Sequence, residues 1–180
     1  MTAGAAGGIR DGALYGLFPL FADAHGLGTT QTATLLTLFG VGGMALQFPV
    51  GWFADRASLA ATVIVCAVLS TLAICGFAPA SSLASASALL LGGMNSAYIT
   101  LGMVAAACSD KAALTRNMRL VSLTFTASSI VGPLIAGFAM NARGPDMLMW
   151  QLAIMSGALV AYTLGLREGR RQPDRSSSMG

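Results

Sequence analysis

Arg10 and Asp11 are adjacent charged residues inside an otherwise apolar segment near the start of the chain. An ionisable side chain within a membrane-spanning segment is costly, and such residues occur mostly along the paths of ions and substrates. The pair therefore predicts a substrate or proton-coupling site. Two other interpretations stay open: an ion pair near the cytoplasmic end with Arg10 extended to the headgroups, or a depth misjudged because the chain lacks an upstream portion. Successive helical residues point about 100° apart, so we expect separate partners for the two charges.

Polar side chains also fall near the middle of a later apolar segment, which contains Asn95, Ser96, Tyr98 and Thr100. A polar group at that depth must face protein or water rather than lipid. The first and fourth apolar segments are thus predicted to line a cavity, whereas the third and sixth hold few polar residues and are predicted to face lipid. The candidate substrate and coupling residues are Arg10, Asp11, Tyr15, Asn95 and Tyr98.

The sequence offers little for catalysis or metal binding. His25 is the single histidine, and the three cysteines, Cys66, Cys75 and Cys108, form no Cys-x-x-Cys pair. One histidine cannot supply a three-ligand metal site, and an intramembrane serine protease would need a histidine deep in a span rather than in a predicted external loop. The sequence has no phosphate-binding loop of the Gly-x-x-x-x-Gly-Lys type. We therefore expect no enzyme activity, no cofactor, no metal and no nucleic-acid partner.

The composition places these residues in a membrane. Of 180 residues, 55% are hydrophobic and 9% are charged, with a mean hydropathy of +0.72. A soluble domain carries roughly a quarter charged residues, so this chain has too few to cover a water-exposed surface. Six apolar segments approach the ~20 residues of a spanning helix, at about 2–22, 32–54, 59–78, 83–107, 120–140 and 147–166. The sequence predicts an all-α membrane protein with a six-helix domain over 1–166 and a disordered basic tail over 167–180.

The basic residues predict the orientation. An even number of spans puts both termini on one side, and cytoplasmic loops carry the excess of Lys and Arg. With cytoplasmic termini, the outside receives Arg143 alone, and the remaining basic residues outside the spans fall on the inside. These are Arg56, Lys111, Arg116, Arg119, Arg167, Arg170, Arg171 and Arg175. The expected location is the inner (plasma) membrane, multi-pass, with both termini cytoplasmic.

Two motifs accompany this pattern of spans. The loop after the second segment reads GWFADR over 51–56, and the fifth segment contains SSIVGPLIAG over 128–137. The second motif is a small-residue face with a proline that frees a backbone carbonyl. Together, in this order and at this depth, the motifs resemble those of the major facilitator superfamily. The resemblance covers essentially the whole chain and is to the C-terminal six-helix half of such a transporter.

The first motif resembles the Gly-x-x-x-Asp-Arg loop of the family through Gly51, Asp55 and Arg56. The resemblance implies that these three residues form a conformational gate at the cytoplasmic side. The family loop continues with Gly and two basic residues, whereas this chain has Ala-Ser-Leu-Ala over 57–60. A latch made by those later basic residues is therefore not expected.

The second motif resembles the packing motif of the fifth family helix through Gly132, Pro133 and Gly137. The resemblance implies that these residues set close helix packing. Antiporters of the family prefer an earlier Gly where this chain has Ser128, so the resemblance does not favour antiport.

The family fold implies half of a major facilitator architecture, built from two inverted three-helix repeats. In the sequence, 49–54 and 133–139 share Pro, Gly, Phe and Ala once a two-residue gap is allowed. The implied function is secondary active transport of a small solute by rocking of two halves, with protons as a candidate coupling ion. A lone half would expose polar residues to the lipid bilayer, so the expected partner is a missing N-terminal half or a second copy of the chain. The alternative is a non-transporting remnant or assembly partner.

Overall fold

The computed structural model describes residues 2–77, 83–108 and 114–170. Within these ranges the chain forms six α-helices and no β-strand, which confirms the predicted all-α fold. The helices are α1 (Thr2–Ala24), α2 (Thr29–Arg56), α3 (Leu59–Cys75), α4 (Ala84–Ala107), α5 (Leu114–Arg143) and α6 (Met147–Arg170).

Several helices extend beyond the apolar segments. α2 covers Thr29–Arg56 and α5 begins at Leu114, because polar flanking residues continue the backbone hydrogen bonds of the helix past the hydrocarbon. α6 continues to Arg170 and so overlaps the beginning of the predicted tail. The rest of that tail, 171–180, lies outside the described residues, as do residues 78–82 between α3 and α4.

Four helices in the described ranges are long and apolar enough to cross a membrane. They are α2, α4, α5 and the part of α6 that covers Met147–Gly165. α3 is apolar but shorter, at 17 residues. α1 has 23 residues, and Arg10 and Asp11 lower its hydropathy. Helices of this kind make the chain a multi-pass membrane protein.

The helices form two extensively packed pairs. α1 packs on α5, and α2 packs on α4. α1 and α4 also contact each other, so the order across this four-helix row is α5, α1, α4, α2. α3 contacts α4 and α6, while α6 also contacts α1. α3 and α6 therefore pack on one side of the row.

Glycines bring the backbones of α1 and α5 into contact. A Cβ atom on Gly12 would collide with the carbonyl oxygen of Ser129. Likewise, a Cβ atom on Gly132 would collide with the carbonyl oxygen of Ile9. The two helices can approach this closely only because neither residue has a side chain.

The α2–α4 pair has the same two contacts. A Cβ atom on Gly92 would collide with the carbonyl oxygen of Phe39, and one on Gly42 with that of Leu89. The separation along the chain from Gly12 to Gly92 equals that from Ile9 to Leu89. Equivalent positions in α1 and α4 therefore make equivalent contacts, as two inverted three-helix repeats require.

These contacts correct the register of the internal repeat. The shared letters of 49–54 and 133–139 would place Pro49 opposite Pro133. The glycine contacts instead make Gly42 equivalent to Gly132, which leaves Pro133 equivalent to Gly43. The sequence match was wrong because it followed residue identity, whereas the repeat preserves the crossing points of the backbones.

Large apolar side chains cover the outside of the unit. On α2 and α5, Phe48 is 81% exposed and Phe138 is 78% exposed. On α3 and α6, Leu72 and Ile154 are also exposed. Contiguous exposed apolar surface requires lipid or a protein partner as its environment.

Candidate functional site

Arg10 lies fully buried in the interior of the helix bundle. Its Nη1 donates to the backbone oxygen of Leu152 at 3.2 Å and to Ser156 Oγ, both on α6. Its Nη2 donates to Ser70 Oγ on α3. Its Nε donates to Asn95 Oδ1 on α4 at 3.3 Å. One side chain of α1 is thus hydrogen-bonded to three other helices.

Tyr98 completes the surroundings of this guanidinium group. The Cζ atom of Arg10 lies 5.0 Å from the centre of the Tyr98 ring, and Tyr98 is itself buried. An aromatic face at that distance attracts a cation. Because Arg10 is held by groups inside the bundle, it does not extend to the headgroups.

Asn95 connects the two charged residues of α1. It accepts from Arg10 through Oδ1 and donates from Nδ2 to Asp11 Oδ1 at 2.8 Å. Arg10 and Asp11 therefore point to different sides of α1, as their adjacent positions predict, and a buried amide links them. The side chains of Arg10 and Asp11 are therefore connected through Asn95 rather than through a direct ion pair.

Asp11 and Tyr15 lie at the surface of the unit, unlike the buried Arg10, Asn95 and Tyr98. Both side chains are half-buried and are one helical turn apart on α1. The ring of Tyr15 packs edge-to-face on Phe39 of α2, with centroids 6.3 Å apart. Of the five predicted site residues, Asp11 and Tyr15 reach the surface, whereas Arg10, Asn95 and Tyr98 lie behind them. A carboxylate in such a position can take up a proton or a cation.

The loop residues of the first motif lie at the end of α2. Asp55 and Arg56 are exposed, and the Arg56 guanidinium lies over the Trp52 ring with its Cζ 4.3 Å from the ring centre. A Cβ atom on Gly51 would meet nothing within 4 Å. Gly51 therefore has an open surface at this end of the unit rather than a close contact inside it.

The second motif is divided by the structure. Gly132 makes the backbone contact described above, and Pro133 Cγ lies 3.2 Å from the position of a Cβ atom on Gly16. A Cβ atom on Gly137 would meet only Leu17 Cδ1, at 4.0 Å. Close packing in this motif is therefore concentrated at Gly132 and Pro133.

Sequence reasoning missed the glycine stripe that faces this motif. Gly4, Gly8, Gly12 and Gly16 are spaced four residues apart along α1, and each has its nearest neighbours on α5. Residues four apart share one helix face, so this spacing was the available signal.

Sequence reasoning also missed Ser70 and Ser156, which are fully buried. Both lie in helices that were predicted to face lipid. The exposed apolar faces of α3 and α6 agree with that prediction, whereas these two buried serines do not. Each helix directs one hydroxyl inward to Arg10. A single serine in an apolar helix carries no signal that distinguishes this role from simple packing.

His25 joins two elements at the end of the unit where α1 ends and α6 begins. Its Nδ1 lies 2.8 Å from the Phe21 carbonyl oxygen, and its Nε2 lies 3.0 Å from Asp146 Oδ1. The bond to Asp146 connects the end of α1 to the start of α6. The histidine of the predicted external loop therefore ties the end of α1 to the start of α6.

Comparison with known proteins decides the family. The sequence matches the Major Facilitator Superfamily over residues 1–179. The chain belongs to the major facilitator superfamily. This match confirms the resemblance that the loop and packing motifs indicate, and it makes the protein a member of a transporter family rather than of an enzyme family.

Curated relatives agree with this assignment. The chain is 26% identical over 164 residues to the uncharacterized MFS-type transporter YfkF of Bacillus subtilis (strain 168), covering 88% of this chain and 41% of that protein. It is 25% identical over 176 residues to the uncharacterized MFS-type transporter YE1530 of Yersinia enterocolitica serotype O:8 / biotype 1B, covering 95% of this chain and 43% of that protein. The chain thus spans less than half the length of these two relatives.

Proposed function

We propose that this six-helix unit is one half of a secondary active transporter for a small solute, with Asp11 at the central cavity. The observation that carries the proposal is the placement of Asp11. Its carboxyl group is half-buried at the surface of the row, whereas the neighbouring positive charge of Arg10 points into the bundle. The side of the row that bears Asp11 and Tyr15 would face the second half.

The depth of Asp11 supports a midplane site. Asp11 is hydrogen-bonded to Asn95, which at 1.5 Å per residue lies about 17 Å from either end of α4. The hydrocarbon core of a bilayer is about 30 Å thick, so this distance reaches its middle. Substrate and coupling-ion sites in such transporters lie near the midplane, between the repeats. A carboxylate there would bind a proton or a positively charged group of the solute.

A second six-helix unit would cover the row. The candidates are an N-terminal half and a second copy of this chain. The exposed faces of α2 and α5, with Phe48 and Phe138, supply apolar surface for such a partner. At the end of α2, the open surface at Gly51 and the exposed Asp55 and Arg56 would form the gate, at the cytoplasmic side of the inner membrane.

A screen of many small solutes tests the proposal and can identify the substrate at the same time. The purified chain, in nanodiscs with its partner half when one co-purifies, is heated with a panel of small solutes. A solute that binds the folded state raises the midpoint of unfolding. We expect such a solute to stabilise the wild type but not Asp11→Asn, and its flux into proteoliposomes to depend on Asp11. Asp23→Asn, which changes an exposed aspartate at the end of the same helix, is the matched control.

Unchanged stabilisation and flux in Asp11→Asn would remove Asp11 from the mechanism. The mass of the particle in the nanodisc addresses the partner. A dimer, or a complex with a second six-helix chain, supports a transporter assembled from halves. A stable monomer that no solute stabilises would favour the alternative, a membrane protein without transport activity of its own.

A further inference from the structure

The hydrogen bonds of Asn95 have a defined direction. Arg10 Nε–H donates to Asn95 Oδ1 at 3.3 Å, and Asn95 Nδ2–H donates to Asp11 Oδ1 at 2.8 Å. The guanidinium of arginine is a donor only, and an ionised carboxylate is an acceptor only. Of the three side chains Arg10, Asn95 and Asp11, only that of Asn95 must both accept and donate.

A flip of the Asn95 amide would lose both bonds. It would turn the NH₂ group toward the Arg10 donor and the carbonyl oxygen toward the Asp11 carboxylate. Asn95 is buried, so water does not replace the lost partners. Arg10 therefore selects the amide orientation that presents an N–H group to Asp11.

The position of Arg10 is itself fixed from the other side. Its two terminal nitrogens donate to Ser70, Ser156 and the Leu152 carbonyl oxygen on α3 and α6. These groups hold the guanidinium away from the half-buried surface that bears Asp11. A solute at that surface would meet Asp11 before it met Arg10.

We propose that Arg10 is a positioning residue that acts on Asp11 through the Asn95 amide and does not contact the transported solute. The importance of this for transport rests on the proposed function of Asp11, but the action itself can be measured without transport. Its signature is the pH dependence of Asp11 protonation, since hydrogen bonding to a carboxylate favours the ionised form.

The probe is N,N′-dicyclohexylcarbodiimide, which enters membranes and reacts with protonated carboxyl groups. The full chain in nanodiscs is labelled over a range of pH, and the Asp11 adduct is quantified by mass spectrometry. Asn95→Leu removes the donor to Asp11. Arg10→Lys keeps the positive charge but replaces Nε with a methylene group, so the donor to Asn95 Oδ1 is lost.

We expect Asn95→Leu to move the half-maximal labelling of Asp11 to higher pH by about one unit, a tenfold change in proton affinity. Arg10→Lys should move it in the same direction, and should add nothing in the Asn95→Leu background. Thr71→Ala is the control, because it removes a neighbouring hydroxyl of α3 that bonds to the Ala67 carbonyl oxygen of its own helix rather than to Arg10. Its labelling profile should match the wild type.

Two results would overturn the proposal. In one, Arg10→Lys labels like the wild type while Asn95→Leu shifts, so Asn95 needs no help from Arg10. In the other, the Arg10→Lys shift is fully retained in the Asn95→Leu background, so Arg10 acts on Asp11 directly. If Arg10→Lys does not fold, a wild-type profile for Asn95→Leu still refutes the link to Asp11. A shift in labelling together with unaltered flux would refute the transport role of Asp11 and leave the positioning role intact.

Discussion

The backbone contact at Gly132 makes a sharp prediction, because a matched position lies in the same motif. Gly132→Ala would place a methyl group against the carbonyl oxygen of Ile9, which is backbone and cannot rotate away. Gly137→Ala would place the same methyl group 4.0 Å from Leu17 Cδ1, an ordinary contact distance. Both substitutions are in α5 and replace glycine by a better helix former.

The expected difference follows from two opposing effects. Alanine favours a helix over glycine by about 1 kcal/mol at each position. At Gly132 this gain is opposed by overpacking, which lowers the free energy of unfolding by about 1–3 kcal/mol because α1 and α5 must separate along their whole contact. We expect Gly132→Ala to be about 2 kcal/mol less stable than Gly137→Ala, which corresponds to a midpoint of unfolding lower by roughly 4–8 °C.

The assay is thermal unfolding of the two variants in the same nanodiscs, followed by circular dichroism. Gly137→Ala should match or slightly exceed the wild type. If both variants unfold at the same temperature, the close approach of α1 and α5 at Gly132 would be refuted. The equivalence of the two repeats would then rest on the glycine contacts of α2 and α4 alone.

Three further substitutions test other parts of the fold. Gly92→Ala should destabilise the α2–α4 pair, as Gly132→Ala is expected to destabilise the α1–α5 pair. Gly40→Ala is the control, because a Cβ atom there meets nothing within 4 Å, and thermal unfolding compares the two variants. Ser156→Ala should lower stability by about 1–3 kcal/mol because the buried guanidinium loses an acceptor, and unchanged thermal unfolding would contradict that bond. Asp146→Asn should raise amide hydrogen exchange in the turn after α1 because the bond from the histidine weakens, while Asp23→Asn should leave exchange in that turn unchanged.

The sequence was sufficient to predict the six helices. Long apolar segments separated by charges and turn residues admit few other structures in a bilayer, since every backbone group must be paired. The adjacent Arg10 and Asp11 point to different sides of α1, as helix geometry predicts. The expectation of separate partners holds only for the groups of α3 and α6 that bind Arg10, because Asn95 bonds to both charged residues. The ends of α2 and α5 were less predictable, since a helix can continue into polar residues.

The contents of the buried network could not be derived in the same way. Ser70 and Ser156 bond to Arg10 only because α3 and α6 meet behind α1, and a single sequence contains no information on that meeting. The glycine stripe of α1 was visible as a spacing, but small residues are frequent in membrane helices. Its meaning required the opposing carbonyl groups of α5.

The two glycine-locked pairs have a consequence for how the unit responds to its lipid environment. Helices that touch through their backbones cannot slide or bend independently without collisions between main-chain atoms. A bilayer that is thinner or thicker than the apolar length of the unit would therefore be met by tilting of each pair as one body, rather than by kinking of one of its helices. Membrane thickness would thus set the inclination of these two pairs, and with it the angle at which the row of helices meets a partner.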